Sequence, residues 1–292
     1  MRILLTGASG QVGTEFHRVV GMDDEILAPE RAELDLGDER SVRRYVRESQ
    51  PDVVVNAGAY TAVDLAEKER ELSFAVNAAA PAALAEEAAK LGALLLHFSS
   101  DYVFDGTKAG PYSEADAINP LGVYGASKAE GDRGVVAGGG RAVILRTSWV
   151  YSLHGKNFLL TMLRLARERS ELRVVEDQVG APTSATQIAR AAHRLVVQLG
   201  GIREANFPGG VYHMTAQGST SWFGFAEAIV RSSGLPVLPR VTPISTAEYP
   251  TPAARPKNSV LSNEKFAAAF GFRLEPWQEE LERVLAGRPV VA

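Results

Sequence analysis

The chain has 292 residues, of which 46% are hydrophobic, and carries a net charge of −4. This length suits one large domain or two ordinary ones, and the acidic balance argues against a nucleic-acid partner. The absence of cysteine excludes disulfides, iron–sulfur clusters and thiolate-bound zinc. The apolar segments are too short to cross a bilayer, and no charged leader precedes the first of them. We therefore expect a cytoplasmic protein without a membrane partner.

A glycine-rich turn follows the first predicted strand, Arg2 to Thr6. Glycines permit a tight turn and a close backbone approach, and the first amides of the helix that starts near Gln11 would attract a pyrophosphate. The alternative is a tight strand–helix turn that binds nothing. We predict dinucleotide binding, and the residues assigned to it are Gly7, Gly10, Gln11, Val12 and Gly13.

The second predicted strand, Glu25 to Ala28, ends where the adenosine ribose of a dinucleotide would lie. Glu30 and Arg31 follow it. A carboxylate there bonds the 2′-hydroxyl of NAD, whereas an arginine accommodates the 2′-phosphate of NADP. The choice between NADH and NADPH is therefore left open. Asp35 and Leu36 come next, and Asp35 either faces the adenine or ends the local structure.

Two buried strands are predicted further on, from Pro51 to Asn56 and from Ala93 to Phe98. Ligands of parallel sheets bind at the carboxyl ends of the strands. The small residues after the first strand leave room for a flat cofactor, and a hydroxyl after the second is placed to bond a substrate carbonyl, unless it only caps the loop. The residues assigned here are Ala57, Gly58 and Ala59 to the cofactor, and Ser100 and Asp101 to the substrate.

Tyr124 and Lys128 are four residues apart on a predicted helix and therefore share one face. The ammonium group would lower the pKa of the phenol to a value suited to general acid catalysis. An alanine-rich helix is predicted before them, from about Glu71 to Leu91, with a kink or restart at Pro81. A strand from Ala142 to Val150 is predicted after them.

Strands alternate with helices up to residue 150, which predicts an α/β fold with a Rossmann-type doubly wound parallel sheet. We expect residues 1–150 to form the NAD(P)-binding domain and the helix and strand around 157–200 to pack back on it. The proline-rich remainder, 205–292, is predicted to form a smaller lobe that binds the substrate. The later predicted elements are helices at 157–169, 183–199, 223–232 and 264–270 and a strand at 172–175.

The sequence resembles the extended short-chain dehydrogenase/reductase superfamily, and within it the family of dTDP-4-dehydrorhamnose reductases. The glycine turn and the tyrosine–lysine pair are typical of the superfamily, whereas the later segments are much narrower signatures. The resemblance covers nearly the whole chain. It rests on Gly7–Gly13, Pro51–Asn56, Thr61–Asp64, Ser99–Phe104, Tyr124–Lys128, Arg146–Tyr151, Asp177–Thr183 and Tyr249–Pro256.

This resemblance implies reduction of the 4-keto group of dTDP-4-dehydro-L-rhamnose, a dTDP-sugar substrate, by NADPH or NADH. Tyr124 would donate the proton and Lys128 would bond the nicotinamide ribose. Ser100 stands where the family commonly has threonine, which keeps the hydroxyl and loses a methyl group. Trp149 would pack against the sugar and Arg255 would pair with the diphosphate, unless they are a core tryptophan and a surface arginine.

Some family members form a dimer through magnesium bound by glutamates. Glu15 matches one such position, but Thr186 stands at a second, so we expect no metal site and a solvated Glu15. If the protein forms a homodimer, we expect it to form without magnesium. A 4,6-dehydratase is disfavoured because Tyr102 replaces its glutamate. Another 4-ketoreductase, a 4-epimerase and a non-catalytic subunit like that of methionine adenosyltransferase remain as alternatives.

Overall fold

A six-stranded sheet forms the centre of the molecule, whose computed structural model describes residues 1–21, 24–202 and 207–287. All its strand pairs are parallel, which confirms the predicted α/β class. Its strands are Arg2–Thr6 (β1), Glu25–Leu27 (β2), Val53–Asn56 (β3), Leu94–Ser100 (β4), Arg141–Thr147 (β5) and Gly210–His213 (β10). Their order is β10-β5-β4-β3-β1-β2, so the chain changes direction between β1 and β3, where doubly wound sheets bind ligands.

Helices cover both faces of this sheet. Phe16, Ile188 and Phe266 contribute to the core on one face, and Val46 and Leu84 to the core on the other. The helices against the sheet and its connections are Gln11–Val19 (α1), Glu39–Ser49 (α2), Val63–Ala66 (α3), Arg70–Phe74 (α4), Ala80–Leu91 (α5), Val123–Gly138 (α6), Ala185–Gly200 (α8) and Glu264–Phe270 (α10). Among the described helices, none has the length and apolar composition that a membrane crossing requires.

A separate hydrophobic core lies in a smaller lobe, where Leu159, Phe225 and Leu281 pack together. Its helices are Phe158–Glu168 (α7), Trp222–Arg231 (α9) and Trp277–Leu285 (α11), and its parallel strand pair is Glu171–Val175 (β7) with Arg240–Ile244 (β12). Two short pairs connect the lobe to the main domain. They are Val150–Tyr151 (β6) with Thr183–Ser184 (β9), and Val179–Gly180 (β8) with Thr220–Ser221 (β11).

The hydrophobic cores divide the chain differently from the predicted boundaries. Helix α8 packs on the main sheet, whereas α7 and β7 belong to the core of the lobe. Conversely, β10 and α10 fall within the predicted lobe 205–292 and yet lie on the main sheet. An amphipathic pattern shows that a face is buried but not which partner covers it, which explains both differences. Residues 205–206 and 288–292 of that predicted lobe lie outside the described residues.

The predicted alanine-rich helix is interrupted by a π-helical turn at Ala75–Ala79, before Pro81, which lies in the first turn of α5. The wide turn carries Asn77, which accepts a hydrogen bond from the Tyr60 amide at 2.9 Å and donates one to the Ser127 hydroxyl at 3.0 Å. Such turns recur at functional sites. Here the turn joins the loop after β3 to the helix that carries Tyr124 and Lys128.

Candidate active site

The glycine-rich turn forms one wall of a long cleft at the carboxyl edge of the sheet. Gly7 has a φ of +66°, and a Cβ atom there would lie 2.5 Å from the backbone of Gly58. A Cβ at Gly13 would lie 2.1 Å from the Gly7 carbonyl oxygen, so Gly13 allows α1 to pack against the turn. Gly7, Gly10, Gln11 and Val12 line the cleft, whereas Gly13 lies behind them.

The residues predicted to meet the adenosine all line the same cleft. Arg31 is mostly exposed, and its guanidinium is 3.5 Å from the Asp35 carboxylate. Asp35 also accepts a hydrogen bond from the Gly37 amide at 2.8 Å, so it fixes the local loop. Glu30 and Arg31 both remain available to a ribose or its phosphate. The fold therefore brings together Glu30, Arg31, Asp35 and Leu36 without deciding between the two cofactors.

The end of β3 is built for close approach. Ala57, Gly58 and Ala59 line the cleft, and a Cβ atom at Gly58 would lie 2.4 Å from Cδ1 of Leu36. The Gly58 amide donates to the hydroxyl of Thr6 at 3.2 Å, which links this loop to β1. A larger residue at 58 would push Leu36 away from this wall of the cleft.

Ser100 and Tyr124 meet where β4 ends beside the start of α6. Ser100 is the last residue of β4, two residues later than the predicted strand end, and donates to the Asp101 carboxylate at 3.0 Å. Burial raises the pKa of Asp101 to about 7, and its second oxygen has no hydrogen-bond partner within the described part of the chain. Burial also raises the pKa of Tyr124 to about 12, although the nearby Ser100 hydroxyl opposes the rise. Ser100, Asp101 and Tyr124 all line the cleft.

Lys128 lies one turn along α6 from Tyr124 and is buried. Its ammonium donates to the Phe98 carbonyl oxygen at 2.6 Å, and burial lowers its pKa to about 8, against a raising effect of Asp132. The expectation that Lys128 lowers the pKa of Tyr124 is not met in this structure. Loss of hydration on burial dominates, and the ammonium is directed toward Phe98.

Trp149 has an unusual backbone and a stacked partner. Its φ is +47°, a conformation that costs about 1–3 kcal/mol for such a residue. The ring is buried and lies parallel to that of Trp222, with a centroid distance of 3.5 Å and an interplanar angle of 5°. Both tryptophans line the cleft. The structure thus places Trp149 in the cleft wall, where the resemblance implied sugar contact.

Arg255 is the one predicted site residue besides Gly13 that does not line the cleft. Its guanidinium donates to the Asp64 carboxylate at 2.8 Å and to the Ala253 carbonyl oxygen at 2.8 Å. Asp64 also accepts from the Ala253 amide at 3.1 Å. These contacts fasten the segment around Arg255 to helix α3. A role for Arg255 in diphosphate binding stays a prediction.

The sequence reasoning missed the loop between β6 and α7. The Gln11 side chain accepts hydrogen bonds from Ser152 at 2.9 Å and from Asn157 at 2.8 Å, which fixes this loop to the glycine-rich turn. The exposed Lys156 lies within it and lines the cleft beside that turn. A lysine between a glycine and a helix cap was the available signal. Trp222 also lines the cleft and was not predicted, because nothing in the sequence around it apart from the residue type indicates a site.

Glu15 is buried rather than solvated, because α1 packs directly on α8. Its carboxylate accepts hydrogen bonds from Arg18 at 2.6 Å and from Thr186 at 3.1 Å. Across the residues that the structure describes, no group of three or more His, Cys, Asp or Glu side chains is arranged to hold a metal ion.

A parallel sheet, a glycine-rich turn at its switch point and a serine, tyrosine and lysine in one cleft define the class of short-chain dehydrogenase/reductase-type enzymes. More narrowly, the chain belongs to the RmlD family, since the profile of the RmlD substrate binding domain matches residues 1–288. This confirms the resemblance found in the sequence.

Relatives extend over nearly the whole chain. A dTDP-4-dehydrorhamnose reductase of Burkholderia thailandensis is 48% identical over 285 residues, which cover 95% of this chain and 96% of the relative. One of Sinorhizobium fredii is 43% identical, with 98% and 97% covered. A crystal structure of the Bacillus anthracis reductase in complex with NADP is 34% identical, with a TM-score of 0.91 and coverage of 98% and 99%.

Proposed function

We propose that this protein reduces the 4-keto group of dTDP-4-dehydro-L-rhamnose to give dTDP-L-rhamnose, with NADPH or NADH as reductant. The observation that carries the proposal is one cleft of about 1240 Å³ lined both by the glycine-rich turn and by Ser100, Tyr124 and Lys128. A pocket for one small ligand has about 300–1,000 Å³, so this cleft suits a dinucleotide and a nucleotide sugar together. The names of the full-length relatives support this substrate.

The residues present fit a nicotinamide dinucleotide. The glycine-rich turn keeps side chains away from the first amides of α1. Gly58 has no side chain, so Leu36 can pack directly against the backbone after β3. The amides of Gln11 and Val12 would bind the pyrophosphate, Glu30 or Arg31 the adenosine ribose, and Lys128 the nicotinamide ribose. When bound, the nicotinamide supplies the hydride.

Tyr124 would provide the proton for the nascent alkoxide. With a pKa raised to about 12 by burial, its phenol is protonated throughout the neutral range. Ser100 donates to Asp101 here, so its hydroxyl must turn to bond the ketone. Because burial raises the pKa of Asp101 to about 7, a protonated Asp101 would instead donate to Ser100 and free the Ser100 proton for the substrate.

Turnover of dTDP-4-dehydro-L-rhamnose with oxidation of NADPH tests the proposal. Tyr124→Phe should lower kcat by about 10²–10⁴-fold and leave the Kd of NADPH nearly unchanged, because only the proton donor is lost. Tyr102→Phe is the matched control, since its ring lies edge-on to that of Tyr124 at 5.8 Å in the same cleft. A Tyr124→Phe enzyme with most of its activity would show that Tyr124 is not the acid. No oxidation by the unmodified protein would refute the reductase proposal.

Two of the three alternatives, the 4-epimerase and the non-catalytic subunit, give different results in the same experiment. A 4-epimerase keeps its nicotinamide through each cycle, so the purified protein would carry the absorbance of bound cofactor and show no net oxidation. A non-catalytic subunit would show no turnover in either direction. An exchangeable cofactor with sustained oxidation is the result that we expect.

Three further features stay predictions. A homodimer is tested by light scattering on the eluted protein, and a cytoplasmic location by cell fractionation. Nucleotide-sugar binding by the smaller lobe is tested by protection of that lobe from hydrogen exchange when dTDP-L-rhamnose is added.

A further inference from the structure

Four contacts fix the strained Trp149 in the cleft wall. The Trp149 carbonyl oxygen accepts from the Thr183 amide at 3.3 Å, and the preceding residue, Ser148, donates to the Ala181 carbonyl oxygen at 2.7 Å. A Cβ atom at Gly180 would lie 2.5 Å from Cε2 of Trp149, so the indole lies directly on the backbone there. The fourth contact is the parallel stack on Trp222. Strained conformations persist only where the surroundings impose them in this way.

Trp222 is placed by the smaller lobe and not by the main sheet. It is the first residue of α9, whose N-cap Ser221 accepts from the Gly224 amide at 3.0 Å. Thr220 and Ser221 pair with Gly180 and Val179, so the strand beneath Trp149 also orients its partner. The ring of Phe158 lies 4.6 Å from that of Trp222. The position of Trp149 therefore depends on the lobe core through Trp222.

We propose that Trp222 is a positioning residue for substrate binding, which acts by holding the Trp149 ring in the orientation that receives the sugar. The inference rests on the proposed function, because it takes Trp149 as the sugar contact. The flat stacked partner adds to these backbone contacts by restricting tilting of the indole. Without Trp222, the Trp149 ring has room to turn, and the sugar loses a preformed surface.

The test replaces Trp222 by Leu, which keeps the apolar volume but removes the planar surface, and by Phe, which restores part of it. We expect Trp222→Leu to raise KM for the dTDP-sugar and Kd for dTDP-L-rhamnose about tenfold, with kcat changed less than threefold. The Kd of NADPH should stay unchanged, and Trp222→Phe should recover most of the loss. Trp277→Leu is the control, because Trp277 belongs to the same lobe core but does not line the cleft.

A double-variant cycle separates action through Trp149 from direct contact. If Trp222 acts through Trp149, then Trp222→Leu should add little to the loss caused by Trp149→Leu. Losses that multiply would mean that Trp222 binds the sugar itself, and an unchanged KM in Trp222→Leu would mean that the stack has no role; either overturns the proposal. Equal losses in Trp222→Leu and Trp277→Leu would also overturn it, because a general weakening of the lobe would then be sufficient.

Calorimetric binding of dTDP-L-rhamnose does not depend on turnover. Binding by an inactive protein would contradict the proposed reduction but still measure the effect of Trp222. Active enzyme with normal binding by Trp222→Leu would contradict only the positioning role. The two proposals therefore fail in distinguishable ways.

Discussion

Gly125, the residue after Tyr124, controls how closely α6 approaches the end of β4. A Cβ atom at this position would lie 2.1 Å from the Tyr102 carbonyl oxygen. Carbon and oxygen in contact are about 3.3–3.6 Å apart, so Gly125→Ala would force the two backbones apart by about 1 Å. Tyr102 is two residues beyond Ser100, and the shift therefore separates the Tyr124 phenol from the Ser100 hydroxyl.

A misplacement of about 1 Å at reacting groups costs about 10²-fold in rate. We therefore expect Gly125→Ala to lower kcat about 100-fold in the NADPH oxidation assay, although every proposed catalytic side chain is still present. Gly134→Ala is the control: it lies in the same helix, and its Cβ would lie 2.8 Å from that of Ala82, away from the cleft. This control should keep kcat within a few-fold. A folded Gly125→Ala protein with near-normal kcat would refute the argument from close approach.

Three further predictions concern charged groups in the cleft. Burial raises the pKa of Asp101 from 3.8 to about 7, so the free energy of unfolding falls as pH rises through this range, by on the order of 4 kcal/mol. In urea unfolding, stability should therefore depend less on pH in Asp101→Asn than in the unmodified protein, and the same pH dependence in both would contradict the prediction. Arg31→Ala should raise the Kd of NADPH about tenfold and leave the Kd of NADH unchanged, because only NADPH has a 2′-phosphate for the guanidinium to bind. Fluorescence titration measures both values, and equal effects on the two cofactors would exclude a contact between Arg31 and the 2′-phosphate. Lys156→Ala should raise the Kd of NADPH and of NADH by the same several-fold factor and reduce the salt dependence of binding, because both cofactors contain the pyrophosphate. Lys68→Ala, at an exposed lysine, is the control, and an unchanged Kd in Lys156→Ala would place Lys156 outside the pyrophosphate site.

The main sheet could be predicted because its strands are continuous apolar runs between turn residues. Val53–Asn56 and Leu94–Ser100 are buried throughout, as parallel strands beneath helices must be. Strand β10 was missed because only four residues carry it, and one of them is the polar His213. The π-helical turn around Asn77 was also missed, since a run of alanines favours helix without specifying where an extra residue is inserted.

The cleft residues followed from their places at strand ends, because parallel strands bring their carboxyl ends to one edge. The sequence could not predict the directions in which the side chains at this edge point. The spacing of Tyr124 and Lys128 predicted that both lie on one face of α6. It did not predict that the Lys128 ammonium donates to the Phe98 carbonyl oxygen. Trp222 lies 73 residues beyond Trp149 in the sequence, and no local pattern indicates that their rings stack.

The raised pKa of Tyr124 keeps on the phenol the proton that the proposed reduction consumes. Reduction requires a phenol that is protonated when the alkoxide forms, and burial reinforces that state by raising the pKa from 10 to about 12. The alkoxide is a stronger base than tyrosinate, so the proton moves downhill from Tyr124. Lys128 donates to the Phe98 carbonyl oxygen here, so its ammonium does not offset the effect of burial on the phenol, and the proton stays on Tyr124 until the alkoxide forms.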